Sequence, residues 1–406
     1  MTDAFAEQFL ASPSPVWEIA SPDPCMLLAL AGSEDDGPIA AIARIDAYLA
    51  AHNGGSVLPI EDLGGEGATR WSVAIRVPKR ANAIVLFAED PKEFLENAPH
   101  ISELSNAGVC VGISTPLESP FVEDFVALAR LLEAATGGML ALVDPALDAV
   151  FAREHVQGLF LDAEPLADER TLFRTQIVTR KGRDARWIFT EGMARIGKPD
   201  FEMLEVAPTE ERSAITLVEI AASLFFAAQL PPPETPIELG TGVSIALVTP
   251  QEALEGVDAH AAGSARDRTG EKAHFQPRKS AVISAPAKRG AYRQVWTRPV
   301  EAIAALQQGV AELALPDGIR RSTARKARQS WKEVIARRSD AAHAETTLAQ
   351  VNVGINGIAE HAWLEVIEAS ALGGAGVLLH PLRDNRLSKG ERVEFRLDQV
   401  SDWSGA

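Results

Sequence analysis

The sequence predicts an α+β protein, with a mixed-sheet N-terminal region and a small C-terminal domain in which a helix packs on a strongly bent β-sheet or barrel. In the first half, strand-length apolar runs and amphipathic helical segments occur in irregular order, without a strict βαβ repeat. The last part of the chain is typical of a basic helix followed by strands. A length of 406 residues exceeds one ordinary core and predicts about two or three domains.

Composition divides the chain into three predicted parts. Residues 1–250 carry the mixed helix and strand patterns and form an α+β region of one or two subdomains. Residues 251–297 are rich in Ala, Gly, Ser and charged side chains and lack periodicity, which predicts a linker or long loop. Residues 298–406 form the predicted C-terminal domain.

The N-terminal elements are predicted from local patterns. Cys25–Ala31 has the length of a buried strand, and Gly37–His52 repeats apolar residues on one helical face. A second helix, Pro120–Thr136, begins with proline near its first position and ends at Gly137. Leu172–Met193 is typical of two strands around a turn.

Charge and targeting features limit the class of protein. The net charge of −17 repels phosphate, so we do not expect nucleic acid to be the main partner, and it leaves room for a basic one. Neither a signal peptide nor an apolar run long enough for a membrane helix is visible, so we expect a cytoplasmic protein with no membrane partner. Two cysteines in apolar runs exclude a disulfide framework and are most simply buried.

Known catalytic motifs do not occur in the sequence. The histidines are scattered without the spacing of a metal site, and no Walker A loop or Gly-x-Ser-x-Gly elbow is present. The loop Gly64–Thr69 lacks the dinucleotide-binding spacing. We therefore predict no catalytic residue, no metal ligand and no cofactor.

The clearest basic feature is the segment 320–338, which is predicted to be one amphipathic helix. A basic helix can contact phosphate or an acidic protein, and its charges can equally form a solvated face or neutralise acidic surface of the same chain. The candidate binding residues of this helix are Arg320, Arg321, Arg325, Lys326, Arg328 and Lys332.

Strand alternation selects a second candidate site near the end of the chain. In HAWLEVIEA, His361, Trp363 and Glu365 share one face, and Ala362, Leu364 and Val366 share the other, which is the cleaner core face. Trp363 is then partly exposed or covered by the helix that carries Trp331. The polar cleft predicted here combines His361, Trp363, Glu365, Asp402 and Trp403, and the alternative is that Asp402 caps a turn while Trp403 closes the domain.

A third candidate lies in the first half. Arg186, Thr190, Glu191 and Arg195 cluster in the sequence around Trp187 and Gly192. One interpretation is a strand-to-helix corner held by salt links, and the other is a ligand pocket.

Ordered motifs near the C-terminus carry a family resemblance. A His-x-Trp strand is followed by a Gly turn, an alternating strand and a terminal Ser-Asp-Trp, at Glu360, His361, Trp363, Gly390, Val393, Phe395, Val400, Ser401, Asp402 and Trp403. Residues 319–404 thus resemble the YegJ-like family of bacterial domains of unknown function. Through Ala135–Pro145 and Arg186–Leu204, the N-terminal half resembles another bacterial domain of unknown function found joined to YegJ-like domains. The resemblance implies a bacterial, cytosolic, multidomain protein and no particular reaction.

The absent motifs and the acidity together favour a non-enzymatic protein that acts by binding another protein, in a toxin-neutralising or regulatory role. One alternative is a hydrolase-type enzyme with an unrecognised site between the domains. Another is nucleic-acid binding through the basic helix. The oligomeric state stays open.

Overall fold

The structure is a computed structural model, and it divides the chain into two compact units, Met1–Ala314 and Leu315–Ala406. It describes residues 16–17, 19, 21–32, 36–52, 54–64, 69–92, 106–255, 257–258, 260–268, 279–286, 296–308, 312–313, 315, 317–339, 347–355, 358–382 and 387–405.

The first unit begins with an antiparallel seven-stranded sheet. Its first strand in the chain, β1, lies inside the sheet and pairs with β5 on one side and with the short β6 on the other. In spatial order the strands are β2 (Leu58–Gly64), β3 (Thr69–Arg76), β4 (Ile84–Glu89), β5 (Val109–Thr115), β1 (Cys25–Ala31), β6 (Ala141–Asp144) and β7 (Ala149–Ala152).

A second seven-stranded sheet completes the first unit. It is mixed, because β10 and β13 run parallel while the other neighbours are antiparallel. In spatial order the strands are β14 (Glu312–Leu313), β11 (Ile237–Thr241), β12 (Val243–Val248), β13 (Ser280–Ser284), β10 (Asp200–Val206), β9 (Arg186–Glu191) and β8 (Arg174–Thr179).

The helices of the first unit join the two sheets through one continuous core. Phe121 at the start of α2 meets Phe226 near the end of α4 edge to face, with ring centroids 5.9 Å apart, and buried residues of both sheets belong to the same cluster. The α-helices are α1 (Gly37–Ala51), α2 (Phe121–Thr136), α3 (Arg153–Val156), α4 (Glu211–Ala227), α5 (Pro250–Leu254), α6 (Ala265–Arg268) and α7 (Val300–Gln307).

The predicted linker 251–297 contains a core strand. All five residues of β13 are buried, and the strand lies between β12 and β10. The helix α7, predicted to open the C-terminal domain at residue 298, buries Ala302 and Ile303 in the core of the first unit. The boundary between the units therefore follows residue 314, and residues 280–284 are not linker. Residues 256, 259, 269–278 and 287–295 of that segment lie outside the described ones.

The second unit is an open, antiparallel five-stranded sheet with helices on one face. The helices are α8 (Asp317–Gln329) and α9 (Trp331–Ser339), and the strands in spatial order are β18 (Arg392–Arg396), β17 (Gly373–Leu378), β16 (Ile358–Ser370), β15 (Thr347–Ile355) and β19 (Val400–Gly405). Trp331 is 1% exposed, stands edge to face against Phe395, and donates its indole N–H to the carbonyl of Ser370.

The predicted single basic helix is two helices. Ser330 separates them, because its hydroxyl donates to the carbonyl oxygens of Lys326 (2.8 Å) and Ala327 (3.3 Å), and its own carbonyl accepts from the N–H of Glu333. Local side-chain bonds of this kind compete with the helical ladder. Lys332 therefore lies on α9, and the other predicted basic residues lie on α8.

These elements confirm the α+β fold class. The C-terminal sheet is the open form of the two predicted alternatives, since its described edge strands β18 and β19 do not pair with each other. Among the described residues, no helix combines the length and the hydropathy that a membrane span requires.

The first prediction concerns the core of the C-terminal sheet. Leu364 is 0% exposed beneath α8 and α9, so Leu364→Ala should lower the local unfolding free energy of β16 by about 2–5 kcal/mol. Hydrogen exchange of β16 peptides in the full chain measures this. Leu372→Ala, at a leucine that is 85% exposed in the adjoining turn, is the matched control and should change protection little. Equal losses in both variants would contradict the assigned faces.

Candidate functional site

The predicted alternation of β16 is present. Ala362, Leu364 and Val366 face the helices and are buried, whereas His361 and Glu365 are exposed and Trp363 is half-buried on the opposite side. The helix carrying Trp331 covers the Leu364 face, so it does not cover Trp363. Trp363 therefore lies on the face of the sheet that α8 and α9 leave free.

Strand register places further polar residues beside Trp363. Gln350 of β15 lies opposite Trp363 on one side and opposite Asp402 of β19 on the other, so the three side chains form one row across the sheet. A bulge in β19 brings Ser401 to the same region, where its hydroxyl oxygen lies 3.2 Å from Nδ1 of His361. We call Gln350, His361, Trp363, Glu365 and Asp402 the open face.

Among the described residues, the carboxylates of the open face have no ion-pair partner. Glu365 makes no ion pair among the described residues. Burial raises the pKa of Asp402, opposed only by the hydrogen bond from the N–H of Trp403. The pKa of His361 is lowered mainly by partial burial of the ring and further by the nearby Arg320 guanidinium, and both effects favour the neutral imidazole. The result is a half-buried aromatic ring with Glu365 next to it on the same strand and Asp402 two strands away on the same face.

Trp403 is not part of this face. Its neighbour across the ladder is the buried Ala349, and its indole N–H donates to the hydroxyl of Ser330 at 2.8 Å. The guanidinium of Arg337 lies 5.5 Å from the centre of its ring. The structure thus separates two residues that the sequence predicted together, since Asp402 faces the open side and Trp403 packs under the helices.

The predicted basic residues lie on α8 and α9, the helices that cover the opposite face of the sheet, and Arg320 at the start of α8 is near enough to His361 to affect its pKa. Arg328 donates from Nε to the carbonyl oxygen of Val400 at 3.0 Å. Arg321, Lys326 and Lys332 are exposed and form no ion pair among the described residues. Arg320 and Arg325 have contacts of their own.

The N-terminal candidate is built of internal contacts. Arg186 pairs with Glu211, and Arg174 holds Glu191 at 3.0 Å. Arg195 is 2% exposed; it donates to the carbonyl of Leu172 and lies 2.8 Å from Oδ2 of the buried Asp144. These salt links match the strand-to-helix corner, here β9 followed by a 3₁₀ turn at Met193–Ile196.

Thr190 supports a buried acid. Its hydroxyl donates to Oδ1 of Asp200 at 3.2 Å and accepts from the N–H of Phe201 at 2.8 Å. The backbone N–H of Met193 also donates to Oδ1 of Asp200. Burial raises the pKa of Asp200 to about 8 despite these bonds, and the neighbouring carboxylates of Glu191 and Glu202 add to the shift.

A surface cleft of about 400 Å³ lies elsewhere in the first unit and contains none of the predicted site residues. It is bordered by the end of α1, the turn after β3 and the first half of α2. The sequence shows the start of α2 at Ser119 and Pro120, but the other walls come from distant segments. Local sequence patterns do not reveal that these three segments, which are distant in the sequence, lie together in the fold.

Metal ligands do not come together in the described part of the chain, where no group of three or more His, Cys, Asp or Glu side chains is arranged to hold an ion. Cys25 and Cys110 are both buried, and burial raises the pKa of each thiol to about 12. Neither cysteine is a thiolate near neutral pH.

The second prediction follows from Asp200. An unfolded chain releases this proton near pH 4, whereas the folded chain keeps it to about pH 8, so the contribution of Asp200 to stability falls as the pH rises through that window. Asp200→Asn retains an acceptor for Thr190 and removes the titration. Its urea midpoint, relative to wild type, should therefore be higher at pH 8 than at pH 5.

Intrinsic fluorescence at the two pH values measures these midpoints. Asp184→Asn, at an exposed aspartate in the turn between β8 and β9, should show no such difference. If Asp200→Asn changes the urea midpoint equally at pH 5 and pH 8, the pKa of Asp200 is not raised in the folded chain.

Comparison with known proteins gives one match. Residues 175–283 match a family model described as Protein of unknown function (DUF4026) C-terminal. This range begins in β8, ends in β13 and includes Arg186–Leu204. It therefore corresponds to the greater part of the second sheet. It contains neither the open face nor the cleft. No curated protein and no solved structure matches the chain significantly. The first unit thus contains a region similar to a domain of unknown function, and the YegJ-like resemblance of residues 319–404 stays a prediction.

Proposed function

We propose that this protein acts by binding another protein, and that the open face of the C-terminal sheet receives it. The observation that carries the proposal is Trp363, a large aromatic side chain that is half-exposed on β16, on the face that neither α8 nor α9 covers. Aromatic residues on rigid elements are frequent anchors of protein interfaces. A regulatory or toxin-neutralising role is one in which such binding is itself the activity.

Charge indicates the chemistry of the partner. Glu365 lies beside Trp363 on β16, and Asp402 lies two strands away on the same face. Neither carboxylate forms an ion pair with another described residue, and the whole chain has a net charge of −17. A lysine or arginine side chain of a partner would contact the ring face of Trp363 and pair with either carboxylate. The proposed partner is therefore a protein that presents a basic segment.

The third prediction tests this face by charge reversal. Glu365→Lys should weaken binding of a fluorescent oligolysine peptide by roughly tenfold or more at low salt, because an attractive pair becomes repulsive. Trp363→Ser should weaken it as well. Fluorescence anisotropy with the full chain gives both affinities, and affinity capture from a bacterial lysate with the same variants extends the test to natural partners.

The matched control is Glu333→Lys. Glu333 is also exposed and without an ion pair among the described residues, but it lies on α9 at the opposite side of the sheet. It should leave peptide binding close to wild type. Equal losses in Glu333→Lys and Glu365→Lys would show a response to net charge alone and would overturn the proposal.

A second candidate function is nucleic-acid binding by α8 and α9. It is favoured by the three exposed cations Arg321, Lys326 and Lys332, which have no carboxylate partner in the described part of the chain. The hydrolase-type alternative stays a prediction.

The fourth prediction tests that candidate. Three phosphate contacts would give a slope of log affinity against log salt of about −2 to −3. Lys326→Gln should reduce the slope by roughly one contact, whereas Lys389→Gln, at an exposed lysine of the same unit outside the helices, should not. Anisotropy of a labelled oligonucleotide between 20 and 200 mM salt, about one decade, measures the slope. No binding at the lowest salt would exclude this function.

A further inference from the structure

The cleft beside α2 has the dimensions of a small-molecule site. Its volume of about 400 Å³ lies in the range of roughly 300–1,000 Å³ usual for ligand pockets. Apolar side chains of α1, of the turn after β3 and of α2 line it, including Leu49, Val77, Val126 and Leu131. The ring of Tyr48 lies against that of His52, with centroids 4.4 Å apart, and both rings also border the cleft.

One group of charges in the cleft is satisfied internally. Arg80 pairs with Asp124 and donates to the carbonyl oxygen of Pro116 at 2.9 Å. Glu118 accepts from the backbone N–H groups of Ala81 and Asn82. These contacts hold the turn after β3 against the start of α2, so this wall of the cleft is preformed.

Other charges in the cleft are not satisfied. Lys79 and Glu123 are exposed and have no hydrogen bond or ion pair from their side chains among the described residues. Arg130 donates from Nε and one Nη to the carbonyl oxygens of Phe160 and Asp162, both at 2.8 Å, and meets no carboxylate there. The buried Nε–H of Arg80 also lacks an acceptor in that part of the chain. Among the described residues, two cations and one anion thus border the cleft without an ion pair.

Their spacing sets the length of a complementary ligand. Glu123 and Arg130 both line the cleft from α2 and are two turns apart, a rise of about 10 Å. Extended peptide advances at most about 3.3–3.6 Å per residue, so a chain of two or three residues spans from one side chain to the other. A lone amino acid is too short to reach both.

We propose that this cleft binds a short zwitterionic peptide, with its free ammonium at Glu123 and its free carboxylate at Arg130. The apolar wall accepts aliphatic side chains. Charge-assisted hydrogen bonds of this type are stronger than neutral ones, and both partners already lie on a preformed wall. The proposal concerns the first unit and is independent of the open face.

The fifth prediction uses tri-leucine and three derivatives as probes of the full chain. Calorimetry should show tri-leucine binding at least roughly tenfold more tightly than its N-acetylated form, its C-terminal amide or free leucine. Glu123→Gln should abolish the preference for a free N-terminus and leave the preference for a free C-terminus. Lys79→Asn should leave the preference for a free C-terminus in place, because Lys79 lies on the turn that is held against the start of α2; asparagine tolerates the left-handed φ of 69° at this position.

Lys181→Asn, at an exposed lysine in the β8–β9 turn, is the matched control and should bind all four probes as wild type does. Arg130→Lys tests the carboxylate site while keeping the charge, and should weaken tri-leucine and the acetylated form more than the amide. The proposal is overturned if wild type does not distinguish the four probes, or if Glu123→Gln weakens all of them equally.

Discussion

The first unit depends on one buried carboxylate. Glu202 is 0% exposed on β10, in the middle of the second sheet, and its two oxygens accept four hydrogen bonds. Arg268 donates to both oxygens, Ser280 of β13 donates to one at 2.5 Å, and the indole of Trp187 on β9 donates to the other at 2.8 Å. A buried charge is tolerated only with such complete pairing. Three neighbouring strands and α6 are therefore fixed to one another at this point.

The need to pair a buried charge also explains why Arg195, in the N-terminal candidate site, forms its contacts inside the fold. Arg195 brings a full charge into the core, where Asp144 of the first sheet and the carbonyl of Leu172 compensate it. Its guanidinium also lies 5.3 Å from the ring centre of Phe125 on α2. One side chain thus joins the two sheets and the helix between them. The sequence indicated a cluster at this corner, but the partners Asp144 and Asp200 come from other strands, which local spacing does not connect.

Sequence patterns predicted the elements whose two faces differ in polarity. The alternation in β16 gave the correct core face because Leu364 and Val366 contrast with His361 and Glu365. In β13 that contrast is missing. Its residues Ser280–Ser284 are buried on both faces, and they belong to a stretch rich in Ala, Gly, Ser and charged residues, so composition favoured a linker. A short central strand is recognised by its neighbours β10 and β12, which only the folded chain brings together.

The two proposed binding surfaces follow from what each unit leaves unpaired. In the second unit, strand geometry places Asp402 and Trp403 on opposite faces, so the tryptophan packs against the core. The carboxylate of Asp402 has no cationic partner among the described residues. In the first unit, the contacts of Arg80 and Glu118 close the turn after β3, and Lys79, Glu123 and Arg130 remain at the rim of the cleft. Lys79 and Glu123 are exposed single charges, and such charges add little to the stability of a fold. Binding is the property to which such charges contribute, and their opposite signs in the cleft favour a zwitterion there over the basic segment suited to the open face.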